Sequence, residues 1–502
     1  MEAGWIGVGF VMPSTPSSTT PRRSSRQAAA SASPAPSGPS STGGGSRSGH
    51  GPGKKTDAGA KGSMWSGKGA SKGLLPGRDF LGPLFLIAST PPAAVVIWYL
   101  CCVLKGDHWE LVAQFRAEGL GLLVRVWPAI TWDAVRPVLA FMALELAFMR
   151  LIPGKRFEGP VTPMGNVPVY RANGVESYLA TGLWWYLGAY YFKWFSPGIV
   201  YDEFGGMLSF MNAFSLLFCL FLYFKGLYFP SSSDSGSTGT NWLMDYYWGT
   251  ELYPRILGWD VKTFTNCRFG LMGWAIILLS YCGKQYELYG TVSDSILVST
   301  ALQLVYIYKF FLWETGYWRS LDIMHDRAGY YICWGCLVWV PVTYTCHTLY
   351  MVEHPVVLGT PLAAGIFAAG LTMIYINYAA DAERARVRAT DGNTRVDFGQ
   401  KAEIVRATYV TEKGEKKESV LLLNGWWGIS RHFHYVPEIL ASFFWSVPAL
   451  FNHAIPYFYT TFLTLLLTDR ATRDDLRCSN KYGQYWAKYQ KRVPYMIVPG
   501  IY

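Results

Sequence analysis

After Phe80 the chain returns repeatedly to apolar runs long enough to cross the ~30 Å hydrocarbon core of a bilayer. Ten such runs lie at roughly 80–104, 136–153, 177–197, 205–229, 268–284, 291–313, 328–350, 357–378, 437–453 and 456–469. Backbone in lipid must satisfy its own hydrogen bonds, and runs of this length do so as helices. The expectation is an all-α, polytopic membrane protein with about ten transmembrane helices. Composition agrees, with 51% of residues hydrophobic and 16% charged, where soluble domains have about a quarter charged. An even number of spans puts both ends on one side. Basic residues gather in the amino-terminal arm, in 384–417 and in 470–492, which makes that side cytoplasmic. Lys105, Arg116, Arg125 and Arg136 lie in the opposite loop and weigh against this without reversing it.

Residues 1–78 form a separate region, rich in Ser, Gly and Pro, with ten basic residues against Glu2 and Asp57. Such a segment has too little apolar surface to offset the entropy of ordering, so a disordered basic arm is expected. Its composition also resembles an organellar transit peptide. The net charge of +10 is scattered along the chain, which argues against nucleic acid as a partner. Nine cysteines are too few and too dispersed for a disulfide framework. Cys333 and Cys336 make a lone CxxC inside an apolar run and read as buried helix.

No GxGxxG follows a strand, and Walker A, HExxH and paired-carboxylate metal motifs are missing from the sequence. Chemistry must therefore come from polar groups at the membrane edge, where they are costly unless they bind something. Arg384 and Arg388 share one helix face, as do Arg470 and Asp474. Either pair alone is better read as a solvated face. With Trp427 as a flat surface and Tyr482 nearby, the set also suits a phosphate-bearing cofactor. His432 and His434 lack a third ligand at metal spacing, so no metal is expected. Asp322, His325 and Asp326 at a helix start are explained by capping and the helix dipole. Tyr306 lies within a span near Lys309 and Glu314, where its phenol would face a cavity. Between the spans, 379–419 is hydrophilic, and Ile404–Thr411 and Ser419–Leu423 flank a charged turn as a small hairpin would.

Several longer motifs occur in order. Asp245-Tyr-Tyr-Trp-Gly-Thr-Glu-Leu-Tyr-Pro-Arg255 is similar to a DFxxGxELxPR signature. Ser320–Gly329, Gly335–Pro341, the Gly425-Trp-Trp-Gly-x-x-Arg-His432 run and the terminal Pro-Gly-Ile-Tyr follow it. In these the chain resembles the sterol reductase family from about Phe80 to Tyr502. That family includes the Δ14-sterol reductases, the reductase domain of the lamin B receptor and the Δ7-sterol reductases, and the plant-type Δ7 branch fits best. The resemblance implies a transmembrane domain over 79–502 whose part 379–502 binds NADPH. The cofactor positions then fall on Arg384, Arg388, Leu422, Trp427, His434, Arg470, Asp474 and Tyr482, and the proposed catalytic pair on Tyr306 and Asp474. Many members carry Lys at the position of Arg384 and Asn at that of His434.

A sterol alkene has no conjugated carbonyl, so protonation must precede hydride delivery, inside an apolar pocket that excludes water. The resemblance thus implies reduction of the C7–C8 double bond of a Δ5,7-sterol in the endoplasmic reticulum membrane, with a plastid membrane as the lesser possibility. Sterol, NADPH and membrane lipid are the expected partners. The alternatives are a Δ14- or Δ24(28)-sterol reductase and a non-catalytic sterol-binding scaffold. An isoprenylcysteine methyltransferase is disfavoured, because Phe433 stands where its RHP-x-Y motif has Pro.

Overall fold

The computed structural model describes residues 78–162, 164–410 and 416–501. The fold is mostly helical. Among the described residues, five helices are long and apolar enough to cross a membrane: α1 (Asp79–Val103), α4 (Phe204–Tyr228), α6 (Asp294–Leu312), α7 (Tyr330–Glu353) and α8 (Thr360–Ala389). The other expected spans coincide with helices of different character. These are α2 (Trp132–Leu151), α3 (Gly174–Tyr186), α5 (Gly273–Tyr289), α9 (Tyr435–Ser446) and α10 (Phe458–Tyr482). At 12 residues α9 is about 18 Å long, and the second half of α10 is charged. A last helix, α11 (Gln484–Arg492), follows Gly483. The amino-terminal arm lies outside the described residues.

Three antiparallel hairpins correct the all-α expectation. They are β1 (Lys155–Glu158) with β2 (Val169–Ala172), β3 (Arg255–Ile256) with β4 (Trp259–Asp260), and β5 (Ile404–Val410) with β6 (Lys416–Leu422). Only the third follows from the sequence, because β1–β4 are too short to show alternation.

Burial separates the spans. In the most apolar window of α7 all residues are buried, against 22% in α1. α7 is therefore the central helix, wrapped by protein, while α1 offers most of its surface to lipid. The core packs around large rings, with Trp274, Trp318, Trp334 and Trp445 almost fully enclosed. A buried ion pair, Arg268 to Glu314 at 2.6 Å, joins the approach to α5 with the turn after α6. Glu314 also accepts from the Gly174 amide at 2.9 Å, which fixes the start of α3. α8 packs along α9 and α6, and this contact sets the candidate site beside Tyr306.

Candidate functional site

α8 starts at Thr360 after Gly359, with Pro361 in its first turn, runs through an apolar stretch and emerges in a polar last turn. Arg386 and Arg388 there suit the negative end of the helix dipole. Arg384 is tied to Asp381 at 2.9 Å. The helix stops at Asp391 and Gly392, both with positive φ, and the β5–β6 hairpin brings the chain back to the Gly425 turn.

That turn needs glycine. Gly425 has φ +66°, and a Cβ there would sit 2.4 Å from the Glu383 carboxylate. Glu383 accepts from the amides of Asp397 (2.8 Å) and Trp426 (2.9 Å), closing the turn onto α8. Trp427 then donates its indole N–H to the Ala380 carbonyl at 2.7 Å. The Arg384 guanidinium covers the Trp427 ring at 3.9 Å, and the His434 ring lies 4.8 Å away. Trp427 is thus a buried post for two polar neighbours rather than an open platform.

α10 brings the remaining groups. Arg470, Asp474, Arg477 and Lys481 recur at helical spacing on one face. Arg470 lies 3.9 Å from Asp322, so the acidic segment before α7 supports this face as well as starting a helix. Asp474 pairs with Arg477 at 3.0 Å. The carboxy-terminal segment seals the assembly. Ser430 donates to the Ile497 carbonyl, His432 N–H to Met496, and Arg431 to the Val493 and Pro494 carbonyls and the Asp475 carboxylate.

These elements enclose a cavity of about 270 Å³, and all eight cofactor positions named from the sequence line it. Seven bases and one acid, Asp474, stand in its wall. Arg319, Arg477 and Lys481 were not singled out from the sequence. The last two continue the Arg470/Asp474 face and were readable from their spacing. Arg319 arrives from a distant loop that no local pattern marks.

Among the described residues, five buried polar atoms of the wall, Ser320 Oγ, Arg384 Nε, His432 Nε2, His434 Nδ1 and Trp486 Nε1, have no hydrogen-bond partner. Burial pulls the His432 imidazole down to about 4, so it is neutral at physiological pH. Surplus guanidinium charge beside neutral imidazoles and aromatic rings matches phosphates joined to flat rings. Buried polar atoms left without partners are what a ligand would satisfy. By this test the residues fit a ligand that carries phosphates and flat rings, as a dinucleotide does.

Tyr306 is not in this wall. Its phenol donates to Glu438 at 2.5 Å, and its ring packs on Trp445 at 5.3 Å and Trp274 at 6.0 Å. Glu314, expected beside it, is held by Arg268 instead. Lys309 does lie over the Tyr306 ring, at 4.9 Å. Lys309 donates to Asn377 at 2.6 Å, and Asn377 donates to the His434 carbonyl at 3.0 Å. A buried polar chain thus runs from Tyr306 to the cavity wall. Glu438 was missed in the sequence, although a carboxylate within an apolar run is a signal in itself. An apolar cavity of about 450 Å³, lined by Phe141, Trp185, Phe204, Met211 and Leu337 among others, meets the Gly273/Ile276/Ile277 side of α5. Trp274 on α5 packs on Tyr306, which lines neither cavity.

Together these features define a mostly helical membrane protein with a basic, ring-walled cavity at its helix ends. The chain belongs to the ergosterol biosynthesis ERG4/ERG24 family, whose model matches residues 100–502. It is 52% identical to an Arabidopsis thaliana 7-dehydrocholesterol reductase over 84% of this chain and 96% of that protein. It is 34% identical to a Xenopus laevis 7-dehydrocholesterol reductase, over 84% and 91%. It is 35% identical to a Methylotuvimicrobium alcaliphilum Δ14-sterol reductase, over 84% and 94%.

Proposed function

We propose that this chain is an oxidoreductase that reduces the C7–C8 double bond of a Δ5,7-sterol with NADPH. The observation that carries the reading is the convergence of Arg384, Arg388, Leu422, Trp427, His434, Arg470, Asp474 and Tyr482 on one basic cavity. Identity of 52% to a relative named 7-dehydrocholesterol reductase, against 35% to one named Δ14-sterol reductase, supports the Δ7 position over Δ14.

NADPH, when bound, supplies the hydride. Arg384, Arg388 and Arg470 hold phosphate, and Asp474 orients the cofactor. Tyr306 is the source of the proton, which goes to one alkene carbon and leaves the cation on its neighbour for the hydride to quench. Glu438, which accepts the phenol's hydrogen bond, is placed to relay a proton back to Tyr306 after the transfer, while Lys309 over the ring stabilises the transient phenolate. Closely packed rings keep water from the cation.

The organisation that goes with this activity is an arm at 1–78, a reductase domain at 79–502 crossing the membrane ten times, and a cofactor region at 379–502. The membrane proposed is that of the endoplasmic reticulum. Incubation of the purified protein with NADPH and a Δ5,7-diene sterol tests the reaction. Loss of the diene's ultraviolet absorbance is expected. Persistence of the diene, with turnover of a Δ14-sterol instead, would move the assignment to the Δ14 bond.

A further inference from the structure

The Asp245–Arg255 segment takes no part in the assemblies above. Its acids are used internally: Asp245 accepts from Ser237 Oγ at 2.7 Å, and Glu251 pairs with Lys225 at 2.7 Å. Arg255 instead reaches across to the Val169 carbonyl on β2. With Arg150 at the end of α2 and Arg171 on β2, it lines a cavity of about 410 Å³. This volume falls within the roughly 300–1,000 Å³ range of small-ligand sites. The cavity shares no lining residue with the cofactor cavity, although Trp318 in its wall is followed in sequence by Arg319 in the other.

The three guanidiniums are oriented but not neutralised. Arg150 donates to the Leu257 carbonyl at 3.2 Å, Arg171 to the Arg150 carbonyl at 2.5 Å, and Arg255 to Val169. Among the described residues, no carboxylate forms an ion pair with any of them. Two further arginines in the wall, Arg156 and Arg268, do have such partners in Glu158 (3.1 Å) and Glu314 (2.6 Å). Asp260 is the single acid of the lining, and it accepts from the Thr263 amide at 2.8 Å. Asp260 stands opposite Arg255 in the β3–β4 register, so three guanidiniums share one carboxylate and the charge of Arg150 and Arg171 is in excess.

The β1–β2 register adds an independent observation, because Arg156 stands directly opposite Arg171. Like charges in that relation destabilise a hairpin; Glu158 offsets Arg156, which leaves the Arg171 charge to be met from the cavity. The Tyr170 hydroxyl, whose ring stacks on Trp318 at 4.6 Å, is buried without a partner in the same wall. Fixed guanidinium forks with surplus charge recognise oxyanions bidentately. In the ten-span organisation proposed above, this place, where α2 ends and α3 begins, lies between two spans at the aqueous edge of the bundle.

We propose that this cavity is a second anion site, distinct from the cofactor cavity, which takes the phosphate group of a phosphoester. The phosphate comes either from a phospholipid headgroup or from a soluble organic phosphate, and the same guanidiniums recognise both.

Thermal unfolding of the full chain in phosphatidylcholine nanodiscs at fixed ionic strength tests this. One arm adds glycerol 3-phosphate, and the other replaces part of the lipid with phosphatidic acid. A rise in Tm of about 3 °C at saturation is expected in at least one arm. A response to glycerol 3-phosphate identifies the soluble source, and a response to phosphatidic acid alone identifies the headgroup. The Arg150→Gln/Arg171→Gln variant should lose the response, while Arg388→Ala, in the cofactor cavity, should keep it. Both replaced side chains are exposed, so the variant is expected to fold. Arg150→Lys/Arg171→Lys, which keeps charge without the fork, should respond less than the native protein. No response in either arm, a response unchanged in both double variants, or one abolished by Arg388→Ala would overturn the proposal.

Discussion

At the scale of single residues, the proposed proton transfer rests on a phenol and a carboxylate 132 positions apart. Tyr306→Phe removes one O–H and keeps the ring packing against Trp274 and Trp445. Turnover should fall by about 100-fold or more, the usual scale of a lost general acid, with NADPH affinity unchanged in a fluorescence titration. Glu438→Gln keeps shape and a hydrogen bond but holds no transferable proton. Its turnover should fall by about tenfold or more, again with cofactor binding intact. Native turnover in both variants would remove the pair from the mechanism. Tyr306 was legible as a polar group inside a span. Its partner was not, because proximity in sequence favoured Glu314, and Glu314 is committed to the Arg268 ion pair.

Among elements, the Gly425 turn is the sharpest dependence of the cofactor cavity on local backbone. Gly425→Ala places a Cβ at positive φ against Glu383. Destabilisation of more than about 1 kcal/mol is expected, read as a lower Tm. NADPH binding should also weaken, because Trp427 and its neighbour Arg384 hang from that turn. A native Tm with native binding would show that the turn tolerates the added carbon. The glycine–tryptophan motif was visible in the sequence, but its reason, a buried glutamate from another element, was not. The face of α10 was readable from its spacing as far as Lys481, and the β5–β6 hairpin from its charged turn. β1–β4 carried no periodic signal, and their arginines acquire meaning only when the hairpins fold against the end of α2.

For the whole molecule, apolar length indicated a helical membrane protein, and five helices meet both length and hydropathy. The remaining expected spans fall on helices that are shorter or carry charge, as the 12 residues of α9 and the polar half of α10 illustrate. Residues 78–501 already hold the basic cavity and the Tyr306 assembly, and the family match begins at residue 100. Deletion of residues 1–77 should therefore leave turnover by the purified protein unchanged; a large loss would give the arm a direct part in catalysis. The central claim, that the basic cavity holds NADPH, is tested most directly by an equilibrium fluorescence titration of NADPH against the purified protein and its Arg388→Ala variant. Saturable binding to the native chain, weakened about 10- to 100-fold by loss of one charge-assisted contact, is the result predicted. No saturable binding, or the same affinity in both proteins, would contradict it.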